Sequence, residues 1–98
     1  MWHWVSGVRL FAMADIQGTC DPGYEAVGDA FEKNFDLGDL GATCAVVVDG
    51  ETVVDLWGGT ADIDGDRTWE RDTIVNVWST TKTMTALCVL MLHDRGVL

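Results

Sequence analysis

Tyr24, Val27, Phe31 and Phe35 recur at intervals of three and four residues, a spacing that predicts an amphipathic helix with one apolar face. Asp21-Pro22 ahead of them reads as an N-cap followed by proline at the first helical position. Asp29 and Lys33 form an i,i+4 pair on another face, and Gly38 closes the helix. The pattern then changes. Thr43 to Val48 is a continuous apolar run, partly β-branched, and Thr52 to Trp57 is a second extended segment. Asp49-Gly50 between them is a strong hairpin signal. The first of these strands is apolar on both faces, so both faces are expected to be covered. Ala61 to Asp72 is polar, and Thr73 to Trp78 is short and extended in character. From Thr80 the sequence reads TTKTMTALCVLMLHDRG. Its middle leaves almost no polar face, as in a helix at the centre of a protein. Gly96 suits the C-terminal cap.

The length of 98 residues allows at most one domain, and 48% hydrophobic with 22% charged residues is a globular composition. Sixteen acidic residues against six Lys and Arg give a formal net charge of -10. No basic patch exists to follow a phosphate backbone, so nucleic acid is excluded as a partner, and acidic lipid surfaces would repel the chain. The longest apolar run, Ala86 to Leu92, is far shorter than the roughly 20 residues needed to span a membrane. Cys20, Cys44 and Cys88 are odd in number and far apart, which supports neither a disulfide framework nor a zinc site. A reducing compartment, the cytoplasm, is therefore expected.

The N-terminus is a poor signal peptide. Residues 1–14 are expected to be a non-native or flexible extension, with Met13 a candidate natural start, and residues 15–98 the domain portion. Asp62, Asp64 and Asp66 alternate like the start of a calcium loop. Counting from Asp62, however, the sixth and twelfth positions hold Arg67 and Thr73, where that loop needs Gly and Glu. An ordinary solvated loop is the better reading. No cofactor or metal is expected.

Ser79-Thr80-Thr81-Lys82 is the arrangement that carries chemistry. Residues i and i+3 share a helix face, so the Lys82 amine can reach the Ser79 hydroxyl. The helix N-terminus offers N–H groups and the positive end of the dipole to charge developing near Ser79. Serine is a weak nucleophile without an adjacent base, and a lysine serves when its amine is neutral. The competing reading is a serine cap with an unrelated lysine. The chain holds only two serines and two lysines, and chance gives this spacing on the order of 0.04 times per chain.

The stretch Ile74 to Leu87, IVNVWSTTKTMTAL, resembles the nucleophile segment of the β-lactamase-related serine hydrolases. That superfamily includes class C β-lactamases, DD-peptidases and family VIII-type esterases. Ala45 to Gly59 resembles the first hairpin of the same proteins. The resemblance runs from about Pro22 to Leu98, with helix, hairpin, loop and Ser-x-x-Lys helix in the family's order. It implies an α+β fold, an antiparallel sheet flanked by helices with a second helical region. It also implies attack by Ser79 on the carbonyl of a small ester or amide, with Lys82 as base and the Ser79 N–H as half of an oxyanion hole.

A Tyr-x-Asn triplet and a Lys-Thr-Gly or His-x-Gly strand, which the family carries further along, are absent. Tyr24 is followed by Glu25-Ala26, and Lys82-Thr83 by Met84. The chain is thus expected to be the N-terminal part of the fold, truncated after the nucleophile helix. A non-catalytic fragment or interaction module is the alternative. His93 lies about three turns beyond Lys82, too far to serve Ser79. Trp57, Trp69 and Trp78 are divided between core packing and a substrate cleft, with Trp78 the best cleft candidate.

Overall fold

The computed structural model describes residues 16–98 and, as backbone strands, residues 2–5 and 8–11. Its centre is the hairpin read from Asp49-Gly50. Strand β4 (Gly41–Val48) and strand β5 (Glu51–Gly59) pair antiparallel, Val48 opposite Glu51. Asp49 and Gly50 both have positive φ, 51° and 84°, as a two-residue turn matched to strand twist requires.

A third strand, β3 (Ile16–Cys20), adds to the other edge of β5. Nothing in its short polar–apolar alternation marked it in the sequence. Strands β1 (Trp2–Val5) and β2 (Val8–Phe11) extend the sheet beyond β3, giving the order β1-β2-β3-β5-β4, with every pairing antiparallel. These two strands fall within the segment expected to be an extension. Met13, the candidate start, lies outside the described residues.

Helix α1 (Glu25–Asp36) begins four residues after Asp21, not directly upon it. Asp21-Pro22-Gly23-Tyr24 instead forms a turn closed by the Tyr24 N–H on the Asp21 carbonyl at 3.1 Å. Gly23 at φ 92° takes the position of a type II turn that only glycine fills readily. Proline there sets the turn rather than the helix. At the far end Gly38, φ 111°, completes a Schellman cap. Its N–H meets the Phe35 carbonyl at 3.2 Å, and the Asp39 N–H meets that of Asn34 at 3.2 Å.

The core lies between α1 and one sheet face. Phe31 from the helix packs with Ile16, Cys20, Val53, Val54 and Leu56, and Tyr24, Val27, Phe35, Ala42, Cys44 and Val46 close its margin. Registers Cys20↔Val54↔Val46 and Gly18↔Leu56↔Cys44 carry these side chains across three strands. On the opposite face of β4, Thr43, Ala45 and Val47 are exposed. One helix covers one face, and among the described residues the second is flanked by loop residues 70–72 rather than by a helix.

The loop after β5 is held by its own residues. The Asp62 carboxylate accepts from the N–H groups of Asp66 and Arg67 at 3.0 and 3.4 Å, and pairs with Arg67 Nε at 3.1 Å. Desolvation works against ionisation of Asp62, but the Arg67 guanidinium and the backbone N–H groups outweigh it and hold the carboxyl below its ordinary range. Both Asp62 oxygens are thereby engaged with protein donors. Trp69 is buried and lies against Gly41.

Helix α2 (Thr81–Asp94) follows a single 3-10 turn over Trp78–Thr80. Gly96, φ 69°, ends it with a second Schellman cap, its N–H on the His93 carbonyl at 2.9 Å and that of Val97 on Leu92 at 3.0 Å. The helix expected to be buried is exposed along its whole length, Leu90 by 61%. Its apolar circumference meets none of the sheet's packed core.

Candidate active site

The chain reaches the site from an irregular extended segment, residues 73–77, that turns abruptly into α2. The reversal happens at Trp78, whose φ is 48°. A bulky residue rarely takes that left-handed conformation. The Asn76 side-chain oxygen accepts the Trp78 N–H at 2.9 Å, and the Thr80 N–H bonds to the Val77 carbonyl at 3.1 Å. These two bonds close the corner on which Ser79 sits.

Ser79 lies in the 3-10 turn, two residues ahead of α2, and Lys82 is in the first helical turn. Lys82 Nζ stands 3.4 Å from Ser79 Oγ. The i,i+3 relation read from the sequence therefore brings the two groups into reach. The residue in the N-cap position of α2 is Thr80, which makes no side-chain capping bond. Ser79 is engaged with the lysine rather than with the helix end.

Both residues are exposed, and Trp78 beside them is exposed by 80%. Trp69 belongs to the packed interior, and Trp57 is half-buried in the sheet. His93 bonds through Nδ1 to the Leu98 carbonyl at 3.2 Å, at the opposite end of α2 from Ser79. A groove of about 540 Å³ is lined by Thr43, Ala45, Asp55, Glu70, Arg71 and Asp72, without Ser79 or Lys82. Arg71 closes onto Asp55 there, at 2.7 Å. Among the described residues no cluster of His, Cys, Asp and Glu is placed to hold a metal, and no helix is long and apolar enough to cross a membrane.

Asn76 does not stand out among the residues of the extended segment in the sequence. An Asn two residues before the end of an extended run is a known turn former, and that was the available signal.

This succession of hairpin, loop and serine-headed helix has counterparts among known proteins. The family described as Beta-lactamase matches residues 29–98. The chain belongs to the beta-lactamase family. Among curated relatives, the Esterase/beta-lactamase LipL of Mycobacterium tuberculosis (strain ATCC 25618 / H37Rv) is 40% identical over 94 residues, 95% of this chain and 20% of that protein. Among solved structures, a family VIII carboxylesterase superposes with a TM-score of 0.78 at 49% identity, covering 83% of this chain and 22% of that one. The α+β fold implied by the family resemblance is thus the observed one. The chain spans about a fifth of the length of these beta-lactamase-family relatives.

Proposed function

We propose that residues 15–98 are the N-terminal portion of a serine hydrolase acting on small esters or amides, with Ser79 as nucleophile and Lys82 as base. The observation that carries this reading is the 3.4 Å approach of Lys82 Nζ to Ser79 Oγ at the head of α2. Similarity to an esterase/beta-lactamase and to a family VIII carboxylesterase supports the substrate class. An esterase is the preferred activity, and the cysteine spacing accords with the cytoplasm.

In the proposed reaction Ser79 Oγ attacks the carbonyl carbon while its proton passes to a neutral Lys82 amine. The leaving group departs and takes that proton from Lys82. Water then attacks the acyl-enzyme, and Ser79 regains its proton. The Ser79 N–H, near the positive end of the α2 dipole, serves as one donor to the oxyanion. A complete oxyanion hole needs a second donor beside this N–H.

Mass spectrometric mapping of a fluorophosphonate adduct on the full-length protein tests the reading. The adduct is expected on Ser79 and absent in Ser79→Ala. Labelling that persists in Ser79→Ala removes the assignment, and a full-length protein that is never labelled favours a non-catalytic module.

A further inference from the structure

A tryptophan held at φ 48° relaxes toward negative φ unless its surroundings prevent it. Strain of this kind persists where neighbouring bonds over-determine the backbone, and it concentrates where geometry matters to function. Two bonds act here. The Thr80 N–H to the Val77 carbonyl, at 3.1 Å, is main chain to main chain and survives any substitution that keeps the turn. The other, Trp78 N–H to Asn76 Oδ1 at 2.9 Å, depends on one side chain. Val77 between them has φ −96° and ψ 3°, the conformation of a tight corner.

The corner determines how Ser79 is presented. The Trp78 carbonyl accepts from the Thr81 N–H, so the strained residue is bonded directly into the first turn before α2. A change of Trp78 φ rotates the peptide that carries the Ser79 N–H. It also swings the chain entering the 3-10 turn against Lys82, which is fixed on α2. The Ser79 Oγ to Lys82 Nζ separation is already long at 3.4 Å, which leaves little margin. Among the described residues the Trp78 side chain is largely exposed, and the corner is held by backbone and Asn76 bonds rather than by packing of its indole.

We propose that Asn76 is a positioning residue for Ser79. Its side-chain oxygen holds Trp78 in the left-handed conformation and so fixes the directions of the Ser79 hydroxyl and N–H. This rests on the reading of Ser79 as nucleophile. Asn76 touches no substrate; it acts through the Trp78 backbone.

Fluorophosphonate labelling of the full-length protein, resolved into a saturation constant and an acylation rate, tests the proposal. Asn76→Ala is expected to slow acylation by about 10–100-fold, the scale of a small misplacement of reacting groups. Its saturation constant should stay within about twofold, a split that general destabilisation does not produce. Asn76→Asp keeps an acceptor suited to the same turn and should recover the rate to within about threefold. In a Trp78→Gly background, where glycine takes positive φ unaided, Asn76→Ala should cost less than about threefold.

Wild-type acylation in Asn76→Ala overturns the proposal. So does an equal penalty in the Trp78→Gly background, or loss of the folded state in Asn76→Ala. Ser79→Ala run in parallel separates the two readings. If it still labels, the nucleophile assignment has failed; if it does not and Asn76→Ala labels normally, only the positioning role has failed.

Discussion

Lys82 has to lose a proton before it can accept one from Ser79, and an arginine in its place cannot do so. If Lys82 is the base, Lys82→Arg inactivates the full-length enzyme as thoroughly as Lys82→Ala, a fall in acylation of at least about 100-fold. If it supplies only positive charge, Lys82→Arg keeps substantial acylation, and single-turnover labelling separates these outcomes. The residues themselves were legible in the sequence because an i,i+3 spacing brings side chains together wherever the chain coils, here from the 3-10 turn into α2. Lys82 Nζ stands 3.4 Å from Ser79 Oγ. Asn76 was not legible in the same way, since its role depends on a left-handed corner that no periodicity announces.

Among the elements, the hairpin was legible to within two residues because Asp49-Gly50 dictates the turn type and the pairing beside it, whereas an irregularity between Val46 and Val47 shifts the register further along. The start of α1 is not fixed by Asp21-Pro22, because Asp-Pro suits a helix entry and a β-turn equally well. Gly23, free to take φ 92°, decided for the turn. Strand β3 offered still less, a five-residue segment interrupted by Gly18. That glycine now has a reason. It sits at φ 113°, and a Cβ there would run into the Asp55 carbonyl of β5. Gly38 has a similar φ of 111° but open space around it. Gly18→Ala is therefore expected to lower stability by about 2–4 kcal/mol, strain and collision together. Gly38→Ala should lose only about 1 kcal/mol from strain. Urea unfolding of the two variants in the full-length protein checks the order, and equal losses would show that the β3–β5 approach is not tight.

At the scale of the molecule, the chain is too extended for its length. Its radius of gyration is 16.5 Å, against about 13 Å for a compact domain of 100 residues. On α2, Met84, Leu87, Val89, Leu90 and Met91 are all about half exposed or more. Contiguous apolar surface of that size is rare on soluble monomers. The 98-residue chain made alone is expected to bind a hydrophobic dye and to associate, with no esterase turnover above background. Removing residues 73–98 should abolish most of the dye signal. A monodisperse chain that binds no dye would show that α2 finds cover within these 98 residues.

Turn chemistry, helix period and the Ser-x-x-Lys spacing were determined by the sequence alone, because each follows from backbone sterics and contacts a few residues apart. The order of the sheet was not. The pairing of β3 with β5 joins residues more than thirty positions apart, such as Cys20 and Val54, and rests on shape and burial that no local window contains. Whether an apolar surface is covered is decided in the same way. The apolar face of α1 finds β3, β4 and β5, while the more apolar α2 meets no strand among the described residues, because helix burial is set by which elements the rest of the fold brings within reach.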